Sequence, residues 1–264
     1  MVRIIDVLQL TDRHEATAIL EFVMQRDRNW TLINQNTELS QEEEEKVNKI
    51  LEQRKNAIPL QYILGKAYFM GLELHVNENV LIPQPDTEIL VEQALNSVKG
   101  QAKILDLCTG SGCIAISLKK QLPNCQITAS DISEKALEVA KNNAELNDVK
   151  IIFKKSNLFE NFVEKFDIIV SNPPYIATEV ISTLSEEVQK EPILALDGGK
   201  DGLDFYRKII ELSRNYLNED GRIFLEIGYD QANEVKKLFE ENKYKNIEVI
   251  KDYGDNDRVV KGEI

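Results

Sequence analysis

The sequence predicts an α/β fold, a parallel sheet covered by helices on both faces and preceded by a small helical domain. Three observations carry this. From residue 103 onward, strand-like apolar runs alternate with helix-like ones. The first of those runs, "LDLCTGSGC", ends in a glycine-rich turn that opens a helix. Before residue 66 the apolar spacing is helical.

In chain order, "EATAILEFVMQ" sets Ala16, Ile19, Leu20 and Val23 on one helical face. "SQEEEEKVNKILEQRKN" begins with Ser40 three residues before Glu43, the spacing of a capping box, and continues with Val47, Ile50 and Leu51. The acidic run Glu42–Glu45 reads as an exposed first turn favoured by the helix dipole. Pro59 suits a first helical position and Gly65 a helix stop. "AYFMGLELHVNENVLIP" alternates at Leu72, Leu74 and Val76 and reads as a hairpin joining two domains. The boundaries expected are 1–66 for the helical domain, 67–84 for the hairpin linker and 85–264 for the α/β domain, whose first helix starts near Pro85–Thr87.

Within that domain the strands are "KILDLC", "QITASD", "KIIFKK", "FDIIVS" and "GRIFLEIG", with helices over 112–121, 133–146, 203–217 and 230–241. "NIEVIK" and "DRVVKGE" follow with no helix between them. The short turn "DYGDND" makes them an antiparallel pair. That totals seven strands.

Composition narrows the function classes. Apolar residues are 42% and charged residues 29% of the 264, ordinary for a globular protein. A net charge of −13 disfavours a general binder of nucleic acid or anionic membranes. No apolar run is long enough to span a bilayer, and "MVRIIDVLQLTDRHE" lacks a signal-peptide core. The three cysteines, Cys108, Cys113 and Cys125, are sparse and odd in number, which fits the cytoplasm. None has companions at zinc-ligand spacing, so no metal is expected. His14 and His75 read as surface or hairpin residues.

The chemistry concentrates at strand ends. Gly110 and Gly112 permit a tight turn and close approach of a ligand to the backbone. The loop is not a phosphate-binding P-loop, because no Lys-Ser/Thr follows. Ala115 at the third position of a G-x-G-x-x-G leaves dinucleotide binding open. Asp131 ends the second strand 19 residues after Gly112, where a carboxylate can accept from both hydroxyls of a ribose. A Gly-rich turn with a helix-capping Asp is the plainer alternative. Asp106 is either a loop-stabilising acceptor or an ordinary turn residue. A nucleoside ligand without a pyrophosphate, such as S-adenosylmethionine, suits so short a loop. In "SNLFE", Asn157 is placed to bond an adenine amino group and Leu158 or Phe159 to cover its ring, unless those two are simply core.

"FDIIVSNPPYI" is the other signal. Two prolines end the strand, and the first drives Asn172 into an extended conformation. A stiffened amide and an aromatic ring thus stand at the carboxyl edge of a parallel sheet.

Several stretches together give a resemblance. "PLQYILGKAYFMGLEL", "VLIPQPDTEILVE", "ILDLCTGSGCIAISL", "ASDISEKALEVAKNNA", "SNPPYI", "EEVQKEPILALDGGKDGLDFYRKII" and "GRIFLEIGYDQ" resemble the protein-(glutamine-N5) methyltransferases that modify peptide chain release factors, the PrmC/HemK family. They run from about residue 59 to 231. Asn-Pro-Pro-Tyr alone is shared with adenine amino-methyltransferases, so an enzyme acting on nucleic acid is the alternative reading. The other stretches and the acidic charge favour the first.

The resemblance implies a seven-stranded, Rossmann-like, S-adenosylmethionine-dependent methyltransferase domain. It implies methyl transfer to the amide of the Gln in a Gly-Gly-Gln motif of class 1 release factors, docked by the helical domain. It implies no membrane and no direct nucleic-acid partner. Asn172 Oδ1 and the Pro173 carbonyl then accept the two amide hydrogens of the substrate. Pro174 stiffens the loop, and Tyr175 packs on the planar amide. Cys108, Thr109, Gly110, Ser111, Gly112, Asp131, Asn157, Leu158, Phe159 and Asn172 form the cofactor site. Glu191 and Pro192 are expected to shape a loop over it, and Glu226 to line the site or cap a helix. Two positions depart from the family: Gln84 stands where it usually has Arg, and Cys108 where it usually has Gly. The second implies that position 108 does not need a positive φ.

Overall fold

A computed structural model describes residues 2–264, which divide into two compact units. The first comprises residues up to Gly65 together with Glu186–Lys190. It contains α1 (Ile4–Val7), α2 (Arg13–Met24), α3 (Arg28–Ile33), α4 (Gln41–Lys55) and α5 (Leu60–Leu64). The α2 stripe Ala16, Ile19, Leu20 and Val23 is buried with Ile4, Val7, Leu39, Val47 and Ile50 in one core. Ser40 and Glu43 close the expected capping box, and Gly65 ends α5 at φ +72°. Pro59 sits one position earlier than expected, as the cap, with its carbonyl accepting from Tyr62 and Ile63.

The distant segment 186–190 was not anticipated in this unit. Its anchor is Arg54 on α4, which donates to Glu15 at 2.8 Å and to Glu187 at 2.9 Å. A planar, multi-donor guanidinium can serve two carboxylates at once, which a lysine cannot do in the same geometry.

The second unit opens with the hairpin β1 (Lys66–Phe69) and β2 (Leu72–His75), paired antiparallel. Then come α6 (Thr87–Ser97), β3 (Lys103–Leu107), α7 (Cys113–Gln121), β4 (Gln126–Asp131), α8 (Glu134–Leu146), β5 (Ile152–Lys155) and β6 (Phe166–Ser171). After the short helices α9 (Thr178–Ile181) and α10 (Ile193–Leu196) follow α11 (Asp204–Ser213), β7 (Leu217–Glu226), α12 (Ala232–Glu241), β8 (Lys245–Lys251) and β9 (Asp257–Glu263). Helix α11 stops earlier than expected. The chain already extends at Leu217, which pairs with Phe166, so β7 starts before "GRIFLEIG".

The sheet order is β5-β4-β3-β6-β7-β9-β8, parallel except for β9, which runs antiparallel to both neighbours. Side chains alternate between the two faces as the pleat requires. Ile104, Ile168, Val170, Phe224 and Val259 join the core on one face. Leu105, Ile169, Ile223, Leu225 and Val260 join the core on the other. Burial on both faces explains why these strands read as continuous apolar runs. Chain order reverses at β3, with β4 on one side and β6 on the other, so a crevice opens beyond the carboxyl ends of these strands.

Candidate active site

A pocket lies at that crevice. Its wall takes Cys108, Thr109, Gly110 and Ser111 from the turn after β3, Asp131–Ser133 from the end of β4, and Ser156, Asn157 and Leu158 from the turn after β5. It also takes Asn172 and Pro174 from the end of β6, Thr87 at the start of α6, and Pro192, Leu194 and Ala195.

The glycine turn is held by its neighbours. Thr109 N–H donates to the Ser130 carbonyl at 2.9 Å, and Gly110 N–H donates to Asp131 Oδ2 at 3.0 Å. Gly110, at φ +55°, has open space where a Cβ would stand, so a ligand can approach its backbone. Gly112 has a different duty. A Cβ there would stand 3.1 Å from the Ala140 Cβ, so its bareness lets α8 pack closely, and it is not in the pocket wall.

Cys108 corrects an expectation. It does adopt a positive φ, +58°, as a glycine would. For a non-glycine residue that conformation costs about 1–3 kcal/mol and persists where surrounding structure imposes it. Leu158, at φ +48°, is a second such residue in the same wall. Burial pushes the Cys108 thiol up, and nearby Asp131 adds to the rise, so it stays protonated and serves as a wall atom.

Asp131 is equipped to hold a diol. Oδ1 accepts from Ser133 N–H at 2.9 Å and Oδ2 from Gly110 N–H, which fixes the carboxylate in the pocket wall and leaves each oxygen a further lone pair. Burial raises its pKa above the usual range, and the Ser133 and Gly110 N–H groups oppose that. Ile132 and Leu158 supply apolar surface alongside. Asn157 lines the wall, with Nδ2 donating to Glu160 at 2.7 Å. Phe159 is not brought to the pocket. It is 2% exposed and stacks on Tyr216 with ring centroids 4.7 Å apart, so it is core. Asp106 is buried beneath the turn; Oδ2 accepts from the Thr109 hydroxyl at 2.6 Å, and Oδ1 has no partner. Burial pushes its pKa up to about 7.

Asn172 faces the pocket one residue beyond β6, its Nδ2 donating to Thr87 Oγ1 at 3.2 Å. Pro173 and Tyr175 are not in the pocket wall, whereas Pro174 is. Tyr175 packs on the core of the α11–α12 face. Burial pushes its phenol up to about 12, with Glu226 adding to the rise, while the Arg258 guanidinium pulls the other way.

The residues behind this turn escaped the sequence reading. Gln231 Nε2 donates to the Tyr175 carbonyl at 3.0 Å, and the Gly228 N–H donates to Gln231 Oε1 at 3.0 Å. Ile176 N–H donates to the Leu196 carbonyl and Gly198 N–H to that of Ile176, zipping the end of the turn to residues 196–198. Arg258 Nη2 lies 3.0 Å from Asp86 and 3.1 Å from Asp252. The only available signal was that Gly198, Gly202, Tyr206 and Gln231 fall in stretches carrying the resemblance. Glu191 is buried and accepts the Ile82 N–H at 2.8 Å, tying the 191–196 loop down beside the pocket. Glu226 is neither in the pocket wall nor a helix cap; it is enclosed behind Asn172.

The donor set fits an S-adenosyl nucleoside. Asp131 is fixed by two N–H groups, Ile132 and Leu158 add apolar surface, and the pocket wall holds no Lys, Arg or His to oppose a cationic ligand. One consequence is direct. Asp131→Ala is expected to weaken S-adenosylmethionine binding about 30- to 150-fold, since a charge-assisted acceptor of two hydroxyls contributes roughly 2–3 kcal/mol. Titration calorimetry reads it, and unchanged affinity would remove Asp131 from the site.

Comparison with known proteins agrees with this geometry. Residues 84–192 match a family model described as "Methyltransferase small domain", and residues 9–65 match "PrmC N-terminal domain". A "Release factor glutamine methyltransferase" of Thermodesulfovibrio yellowstonii is 45% identical over 93% of this chain and 90% of its own length. A methyltransferase from Pyrococcus furiosus superposes with a TM-score of 0.60 at 22% identity, over 80% of this chain and 98% of the other. A T. thermophilus 16S rRNA N2 G1207 methyltransferase, solved with AdoMet and guanosine, superposes with a TM-score of 0.54 at 20% identity, over 75% of this chain and 49% of its own. These two likenesses establish the fold.

Proposed function

Because the chain belongs to the release factor glutamine methyltransferases, we propose that it methylates the side-chain amide nitrogen of the Gln in the Gly-Gly-Gln motif of class 1 release factors. S-Adenosylmethionine is the methyl donor. Bound in the pocket, it supplies a methyl group on a cationic sulfur and departs as a neutral thioether.

The observation that carries this reading is the position of Asn172. Its NH2 is engaged by Thr87, so its Oδ1 is left to accept, on a proline-stiffened turn in the wall it shares with the glycine loop. An amide nitrogen is a poor nucleophile because its lone pair is delocalised into the carbonyl. Two acceptors, Asn172 Oδ1 and the Pro173 carbonyl, hold its two hydrogens and turn the lone pair toward the methyl. Positive charge that develops on nitrogen is stabilised by the same acceptors. No side chain is required as a base, since a methylated, cationic amide nitrogen is acidic enough to release its proton to water.

In this reading Thr109–Ser111 and Asp131 hold the nucleoside. Ile132 and Leu158 flank the adenine, and Asn157 bonds its amino group. Pro174 keeps the turn stiff, and Tyr175 sets its exit and helps exclude water. The helical unit docks the protein substrate, because a three-residue motif alone buries too little area for a stable complex. A partner that is protein and not nucleic acid suits the charge of −13. A release-factor substrate supports a cytoplasmic site of action, and no helix among the described residues is long and apolar enough to cross a membrane.

The test is mass spectrometry of a release factor after incubation with enzyme and labelled cofactor. One methyl on the Gln of Gly-Gly-Gln is the expected product. Label transferred instead to a DNA or RNA substrate would overturn the assignment.

A further inference from the structure

We propose that Glu226 is a positioning residue: acting through Thr87, it fixes which way round the Asn172 amide faces the pocket. This rests on the reading that Asn172 must offer an acceptor to the substrate.

The sheet register makes the arrangement. Ser171 pairs with Leu225, so the next residues, Asn172 and Glu226, leave neighbouring parallel strands side by side. Glu226 is 2% exposed and its Oε2 has no partner. The neutral groups that stabilise its charged form are Thr87 and Asn172. A carboxylate can only accept, so with Glu226 charged the Thr87 hydroxyl turns its single proton toward it. The lone pairs of Thr87 Oγ1 are then left to accept, and what they accept is Asn172 Nδ2–H. With its NH2 so engaged, Asn172 presents Oδ1 on the other side.

A neutral carboxyl breaks this logic, because it can donate to Thr87. The Thr87 proton is then free to go to Asn172 Oδ1, and the amide turns over to present NH2. Two donors would then meet the N–H groups of the substrate. Burial pushes the pKa of Glu226 up to about 7, with Thr87 and Arg258 opposing the rise and Asp86 adding to it. Tyr175, Tyr206 and Cys113 also face Glu226, and all three have raised pKa values, so they remain uncharged near neutrality. Arg258 and Asp86 are therefore the charges that bear on it. Alignment is present above the Glu226 pKa and lost as pH falls through it.

Two measurements on the full chain test this. The first is the NMR signal of the Asn172 side-chain NH2, identified by its loss in Asn172→Ala. In the wild type it should shift with a midpoint near pH 7, and in Glu226→Gln and Thr87→Val that titration should vanish. It needs no methyl acceptor, so it stands or falls independently of the release-factor assignment. The second is turnover on a release factor between pH values of about 5.5 and 8.5. Wild-type kcat should rise toward a plateau above the midpoint. Glu226→Gln should lose roughly 10²-fold in kcat at the plateau, together with the rise, while KM for the cofactor stays within about threefold. Thr87→Val should lose both in the same way, whereas Thr87→Ser, which keeps the hydroxyl, should retain them. An Asn172 signal that titrates alike in wild type and Glu226→Gln overturns the proposal, as does Thr87→Val with the wild-type pH profile. A wild type inactive on release factor overturns the substrate assignment alone.

Discussion

Asn172→Ala is expected to lower methyl transfer to a release factor by roughly 10²–10³-fold, the range seen when one preorganised polar group is removed from a reacting centre. Binding of S-adenosylmethionine should change by no more than about threefold, because the nucleoside contacts lie in the turns after β3, β4 and β5. The split follows from the geometry. Asn172 shares the pocket wall, and its turn is held independently of its side chain, by Gln231 on the Tyr175 carbonyl and by Ile176 N–H on the Leu196 carbonyl. Removing its side chain therefore deletes an acceptor without unravelling the loop. Single-turnover kinetics with calorimetry on the same sample reads both quantities. Near-normal turnover in the mutant would show that the amide is aligned by something else.

Gly202→Ala should be the most damaging change outside the pocket. A Cβ there would stand 2.3 Å from the Tyr175 carbonyl oxygen and 2.8 Å from Gln231 Nε2, and the backbone sits at φ +75°. The obstructing carbonyl is backbone and cannot swing away, so the Pro-Pro-Tyr turn must move. Overpacking of this kind costs about 1–3 kcal/mol, to which the left-handed backbone adds about 1–2 kcal/mol. A displacement near 1 Å at the aligning turn is expected to lower kcat by about 10²-fold. Gly71→Ala is the control. It has the same φ of +75° but nothing within 4 Å, so it should lose only the about 1–2 kcal/mol of the left-handed backbone and no activity. Thermal melts and turnover separate the two. Equal loss of activity in both would mean that general destabilisation is the cause.

Much of this molecule was legible beforehand. The helical face of α2, the Ser40–Glu43 cap and the antiparallel final strands depend on contacts between near neighbours in sequence, and local spacing reports these directly. The glycine turn, Asp131 and Asn172 were legible because each sits at the end of an apolar run, where a parallel sheet puts ligands. Phe159 shows the limit. It adjoins Leu158, and no local pattern distinguishes a ring that faces a cleft from one that stacks on Tyr216. Cys108 shows another: its identity argued against a left-handed backbone, yet tertiary packing imposes one.

The sequence by itself determined the order of the seven sheet strands and of the longer helices between them, and the candidate acceptor Asn172. Those follow from periodicity, turn chemistry and the absence of an N–H in proline. Only the tertiary structure decided what surrounds that acceptor. Thr87, Gly202, Glu226 with Gln231, and Arg258 come from four separate places along the chain, brought to the Asn-Pro-Pro-Tyr turn by strand register and helix packing. Their roles depend on distances between residues far apart in sequence, and spacing along one chain carries no record of those distances.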